Sequence, residues 1–207
     1  MSELFSIQLQ NRQQQGGDGV WLDLPTTTEQ VQAALRQIGI SSDNPQGLFI
    51  SGYFAEEEKR IAIPYNMVLA SNVDELNFLA SRLETLSTGE RAELNAALQA
   101  PQSELFSIGR ITDFPENVDY YVHLPDVHGP AQLGDYYLNR SGMVDMPEEW
   151  KGGIDTAQFG RYVAQQEQGA FTQYGYLVKS GDEWQKVHEG QPVPEEYRVL
   201  SFPAPEV

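Results

Sequence analysis

This 207-residue chain has no cysteine, which excludes thiolate chemistry, so the residues to weigh first for a reactive or metal site are its three histidines and its carboxylates. His123 and His128 flank Leu-Pro-Asp-Val. Pro125 between them prevents a regular helical i, i+4 presentation. A zinc site would need two further ligands at workable spacing. These two therefore read as a strand residue and a loop residue, and His188, beside an acidic turn, as an exposed one. Glu56-Glu57-Glu58 has the oxygens for a hard cation, but consecutive residues do not converge without a shaped loop. Hairpin-tip charge is the simpler reading. Gly16-Gly17-Asp18-Gly19 lacks the Gly-Lys-Ser/Thr ending of a phosphate loop and precedes a strand, so it reads as a turn. Glu148-Glu149 has the composition of a general acid/base pair, yet nothing marks a pocket around it. There is no Gly-x-Ser-x-Gly elbow and no thiol nucleophile. No motif argues for an enzyme, and no metal site is expected.

What the residues do supply is charge. Thirty acids face thirteen bases, for a formal net charge of -17, on a chain whose apolar residues recur at helix and strand periods rather than as a disordered acidic tail. Such a surface repels nucleic acid and anionic lipid and attracts basic partners. The densest stretch, 111–149, holds Asp113, Glu116, Asp119, Asp126, Asp135, Asp145, Glu148 and Glu149, opposed only by Arg140. One reading is a solvated face that aids solubility. The other is mimicry of DNA: a duplex carries one negative charge per ~1.7 Å of axis, and carboxylates spaced i, i+3 or i+4 on helices lie about 5–6 Å apart. Charge alone does not separate the two. No apolar run approaches the ~20 residues of a membrane helix. The opening MSELFSIQLQ lacks a basic segment followed by a long apolar one, and the lack of cysteine fits a reducing compartment. A cytoplasmic protein is expected.

Several elements have to position these acids. Ser-Glu-Leu-Phe-Ser-Ile occurs twice, at 2–7 and 103–108, each copy followed by a polar turn and an aromatic segment ending in Leu-Pro, at Trp21–Pro25 and Tyr121–Pro125. Two related α+β units are the expectation. In the first, Phe5, Ile7 and Leu9 alternate, as do Val20, Leu22 and Leu24, predicting a hairpin. Thr26-Thr27-Thr28-Glu29 reads as a capping box, followed by the stripe Val31, Ala34, Leu35, Ile38 and a stop at Gly39. Gly47–Phe54 predicts a strand, with Lys59–Ile63 as a possible partner. Ser71-x-x-Asp74 and Ser87-x-x-Glu90 read as caps of two helices that form an antiparallel hairpin closed by Pro101. In the second unit, Leu133, Tyr136 and Tyr137 suggest a short helix. Asp155 or Thr156 starts another, with Phe159, Tyr162 and Val163 on one side. Phe171–Val178 reads as a strand, Gly181-Asp182 as a turn, Trp184–His188 as a returning strand, and the proline-rich end as extended. The expected architecture is an α+β protein with small sheet-plus-helix units at both ends of a helical middle and domains at 1–66, 67–102 and 103–207. Tyr120, Tyr121, Tyr136 and Tyr137, inside the most acidic stretch, are expected mostly in the core.

The chain resembles the ArdA-type antirestriction proteins. The resemblance is carried by Gly19–Pro25, by Val73-Asp74-Glu75-Leu76-Asn77 leading to Leu86 and Leu94, and by Asp135-Tyr136-Tyr137-Leu138. It continues through Ile154-Asp155-Thr156-Ala157-Gln158-Phe159-Gly160-Arg161 and Phe171-Thr172-x-Tyr174-Gly175-Tyr176. It implies an elongated homodimer of small domains that copies the shape and charge of bent B-form DNA, occupies the DNA-binding groove of type I restriction-modification enzymes, and uses no catalytic residue or cofactor. The acidic surface expected to do this is Asp74, Glu75, Glu84, Glu90, Glu93, Asp155 and the carboxylates of 111–149. The segment after about 178 is longer than the family's usual ending, and no mimicry is assigned to it. Two rival readings are an acidic adaptor for another basic DNA-binding protein and a small enzyme using Glu148 or Glu149.

Overall fold

A computed structural model describes residues 4–14, 17–56 and 60–205. Gly16 of the expected turn, Glu57 and Glu58 of the acidic triplet, Lys59, and Ser2 and Glu3 of the first repeat copy lie outside the described residues. In chain order the elements are β1 (Phe5–Asn11), β2 (Val20–Leu24), α1 (Thr28–Gln37), β3 (Leu48–Phe54), α2 (Tyr65–Ala70), α3 (Val73–Leu83), α4 (Thr88–Gln99), α5 (Ile108–Thr112), β4 (Tyr121–Leu124), α6 (Pro130–Asp135), α7 (Glu148–Lys151), α8 (Thr156–Glu167), β5 (Ala170–Thr172) and β6 (Gly175–Lys179). Helices beside small antiparallel sheets make the protein α+β, as its alternating patterns require.

The chain folds into two compact units, each assembled from separated segments. The first takes the chain as far as Ser87, then Leu105–Glu116 and Lys186 onward; the second takes Thr88–Glu104 and Asn117–Gln185. The first thus combines the expected 1–66 region with most of the helical middle and the C-terminal tail. α3 packs on β2 and α5, whereas α4 packs on β4 and β6. The two helices expected as one hairpin therefore belong to different units.

In the first unit the expected hairpin forms, β1 pairing antiparallel with β2 from Phe5 opposite Leu24 to Leu9 opposite Val20. β3 joins the other side of β1, giving the order β2-β1-β3 with a bulge between Gln8 and Leu9. Residues 60–63 form no strand. Ile61 and Ile63 are buried instead, and the Tyr53 hydroxyl donates to the Ile61 carbonyl at 2.7 Å. Ile7, Leu9, Leu24, Val31, Leu35, Leu76 and Leu79 fill the core.

The expected caps of α1 and α3 form one residue later than the pattern suggested. Thr27 caps α1 with Gln30 as its reciprocal partner, and Asn72 caps α3 with Glu75. The earlier hydroxyls are otherwise engaged: Thr26 donates to Gln30 Oε1 and Ser71 donates back to the Met67 carbonyl. Asx and hydroxyl side chains compete for the same N–H groups, so a one-residue slip costs little.

The second unit has the sheet order β4-β6-β5. The expected strand 171–178 is a hairpin, turning at Gln173 and Tyr174 just before Gly175, whose φ is 119°. Tyr120 and Tyr121 are buried and Tyr136 and Tyr137 half-buried, as expected. α6 and α8 cross at two glycines. A Cβ at Gly134 would lie 1.9 Å from the Thr156 carbonyl oxygen, and one at Gly160 would lie 1.8 Å from that of Pro130. Only a bare backbone permits this approach. Tyr162, expected on one side of α8 with Phe159 and Val163, is exposed, whereas those two are half-buried.

The repeat does not produce two equivalent openings. Phe5–Ile7 of the first copy is strand, while Leu105, Phe106 and Ser107 of the second lead into α5, with Phe106 exposed beneath Arg110. Trp184–His188 forms no strand. Gln185 is bonded through its backbone to Asn117, and the tail beyond it binds the first unit's α3 and α5 region.

Candidate partner-binding surface

The carboxylates singled out by sequence divide by what their oxygens already hold. Asp113 is fully buried. Its Oδ1 accepts the His188 N–H at 2.6 Å, and its Oδ2 accepts those of Val187 and Glu189 at 3.2 Å each. It is a clasp for the tail, so its expected place on a binding surface is corrected: a buried carboxylate presents no charge to a partner. Asp74 does similar work with one oxygen, accepting the Val199 and Leu200 N–H groups at 2.7 Å. Glu75 closes the capping box of α3 and Glu84 ends that helix, both half-buried. Glu116 is exposed but paired with Arg82.

The second unit holds the others. Asp119, Asp126, Asp145, Glu148, Glu149 and Asp155 are exposed, while Glu90, Glu93 and Asp135 are half-buried. Asp155 caps α8, accepting the Gln158 N–H at 3.0 Å through Oδ1. Asp135 accepts from Asn139 and pairs with Arg140 at 3.3 Å. Glu148 and Glu149 stand on the single turn α7 beside Trp150, which is 65% exposed. The Glu148 side chain, 83% exposed, meets Lys151 at 3.0 Å. A surface pair like this contributes little energy and leaves most of the field intact. The setting is open solvent, unlike the desolvated cleft a general acid/base pair needs.

Glu93 is different. Burial, reinforced by Glu90 and Asp119, pushes its carboxyl up to about 8, and its Oε1 is buried without a hydrogen-bond partner. At neutral pH it is mostly protonated and adds little charge. Burial of Tyr176 and Tyr137, and their bonds to the Glu167 carboxylate, raise both phenols. Glu167 therefore ties α8 to β6 and to the turn after α6 rather than facing a partner. Sequence reasoning passed over exposed Asp182 and Glu183 in the same unit. Only the turn composition of Gly181-Asp182 signalled them. Among the described residues, no group of three or more His, Asp or Glu is placed to hold a metal ion, and no helix is long and apolar enough to cross a membrane.

The charge is shared between the units. The second carries thirteen acids and five bases in its segments, and most of its exposed acids lie within 119–155, where Arg140 and Lys151 are the only Lys or Arg residues. The family model described as antirestriction protein (ArdA) matches residues 17–178. The chain belongs to this family. The match covers β2 through nearly all of β6 and stops short of the tail. No curated protein matches the chain. ArdA membership implies antirestriction, hence an encounter with restriction enzymes, within a non-enzymatic family. It also gives the stretch Ile154–Arg161 a physical meaning. Asp155 starts α8, and Gly160 lets α8 touch α6, so this motif serves the architecture that carries the acids.

Proposed function

We propose that this ArdA-family protein inhibits type I restriction-modification enzymes by occupying their DNA-binding groove as a mimic of B-form DNA. The single observation that carries this is family membership on a chain of net charge -17. The exposed acids Asp119, Asp126, Asp145, Glu148, Glu149 and Asp155 supply the mimic surface, with Glu116, Glu90, Asp135, Glu75, Glu84 and Asp74 as secondary contributors. A Lys/Arg-lined groove that meets them releases the counterions condensed on both partners. The active species is a cytoplasmic homodimer. Binding is spread over many groups, because one exposed pair is worth only ~0–1 kcal/mol.

The test is cleavage of plasmid DNA by a purified type I enzyme with increasing amounts of the protein. Stoichiometric protein abolishes cleavage at low salt, and inhibition weakens as salt rises. Undiminished cleavage at low and moderate salt refutes the proposal, and a salt-independent inhibition curve refutes the mimicry. Sedimentation that finds only monomer at micromolar concentration refutes the dimer.

A further inference from the structure

We propose that the outer face of the N-terminal sheet is a binding site for an arginine side chain of a protein partner, centred on Trp21, Phe54 and Asp23. None of its residues is among the acids proposed to meet a restriction enzyme, and the restriction assay has no bearing on it. Trp21 lies opposite Gln8, and Gln8 opposite Gly52, so the three form one row across β2, β1 and β3. A Cβ at Gly52 would stand 3.0 Å from the tip of the indole, Cη2, and 3.0 Å from Gln8 Cβ. The missing side chain on β3 is what lets the indole reach across β1 and lie over the sheet. Phe54 closes the far side edge-on, at 6.4 Å between ring centroids and 74° between planes. The two rings form a corner, Trp21 being 51% exposed and Phe54 57%.

Carboxylates border this corner. Asp23 lies two residues beyond Trp21 on the same strand and therefore on the same face. Its Oδ1 accepts the Ser6 hydroxyl at 2.6 Å, which leaves Oδ2 for an incoming donor. Beside Phe54 a cleft of about 200 Å³ is lined by Ser6, Asp23, Phe54 and Glu56. It is large enough for a guanidinium head and the methylenes next to it.

The chain itself shows which ligand such rings take. Arg110 stacks over Phe106 at 4.4 Å, Arg12 over Phe49 at 5.2 Å, Arg140 over Tyr136 at 5.7 Å, and Lys179 lies 5.8 Å from the Tyr120 ring. Indole is the strongest cation acceptor of the aromatic side chains, yet among the described residues no cation covers Trp21. A guanidinium satisfies both halves of the site, stacking flat on the indole while its N–H edge reaches a carboxylate. An ammonium does one or the other, and the net charge of -17 repels anionic partners.

The test is a two-dimensional NMR titration of the full chain, reading the indole N–H signals, with a Gly-Arg repeat peptide and a Gly-Lys peptide of equal charge at fixed ionic strength. The Trp21 signal is expected to move at lower arginine-peptide concentration than those of Trp150 and Trp184. The arginine peptide is expected to bind several-fold tighter than the lysine peptide. Trp21→Leu weakens arginine-peptide binding about fivefold, the size of a partly desolvated cation–π contact. Asp23→Asn, which keeps both rings, weakens it about threefold, so the inference does not depend on one variant's folding. Equal binding of both peptides, wild-type affinity in both variants, or an unmoved Trp21 signal at saturation would overturn it.

Discussion

Replacing Asp113 with alanine separates a structural carboxylate from a displayed one. The side chain is fully buried and receives three backbone N–H groups from residues 74 to 76 positions later. A hydrogen bond to a charged acceptor contributes about 1.5–3 kcal/mol, and a buried donor left unpaired loses about 1–3 kcal/mol. Full loss at all three N–H groups would be several kcal/mol. Val187 is partly exposed, so this segment of the tail can lift and let water replace part of the clasp. The working figure is about half the full sum, roughly 3 kcal/mol. At about 2–4 °C per kcal/mol for a chain this size, melting of the first unit falls by roughly 6–12 °C. Asp113→Asn keeps one acceptor oxygen and is expected to fall between alanine and wild type. Urea unfolding gives the free energy, and amide hydrogen exchange at 187–189 reports whether the tail has lifted. Removing the tail from Lys186 onward in the alanine background adds less than the two changes summed, because both act on one contact. A stability loss below about 1 kcal/mol, or additive losses, would refute the clasp. If Asp113 instead acted as displayed charge, its removal would weaken inhibition and leave stability unchanged.

Three further outcomes are expected. Glu93 is held protonated in the folded state to about pH 8, while an unfolded chain ionises it near 4.5. Between those values the folded form binds more protons, so stability falls as pH rises through that window and levels off above it. Discounted for the group's partial exposure, the change is on the order of 2 kcal/mol. Glu93→Gln removes that slope, and urea unfolding at pH 5, 7 and 9 that shows the same slope in the variant contradicts the assignment. Gly160→Ala places a methyl group 1.8 Å from the Pro130 carbonyl oxygen. Because backbone cannot yield as a side-chain tip can, a loss of about 3 kcal/mol or more is expected by chemical denaturation; a change under 1 kcal/mol would show that the helices part freely. Finally, Glu148→Gln with Glu149→Gln leaves stability within about 0.5 kcal/mol, since both are exposed. The pair is expected to weaken restriction inhibition several-fold at low salt and less at high salt. Unchanged inhibition at low salt would remove α7 from the surface.

The alternation of Phe5, Ile7 and Leu9 against Val20, Leu22 and Leu24 places the first hairpin in its observed register, because a one-residue slip would turn every apolar side chain outward. The apolar stripes of α1 and α3 are equally legible; their caps are one residue off because neighbouring hydroxyl and amide side chains compete for the same N–H groups. The second Ser-Glu-Leu-Phe-Ser-Ile copy misled for a related reason. A hexapeptide has little conformational preference of its own, and the α5 surroundings decide its shape. α3 and α4 look like a hairpin by loop length, yet each buries its apolar face in a different unit.

Composition alone establishes that this chain is acidic, free of thiol chemistry and poor in catalytic groupings, since those properties are sums over residue types. Periodicity establishes most helices and strands, since each depends on neighbours within a few positions. Which acids remain available to a partner was decided only by folding. Asp74 and Asp113 are the same residue type as the displayed aspartates in the sequence, but one oxygen of Asp74 is taken by N–H groups about 125 residues further along and both oxygens of Asp113 by N–H groups about 75 further along. Glu93 keeps its proton because packing around α4 removes water from it. A carboxylate's identity is local, whereas its hydration and its partners belong to the whole fold.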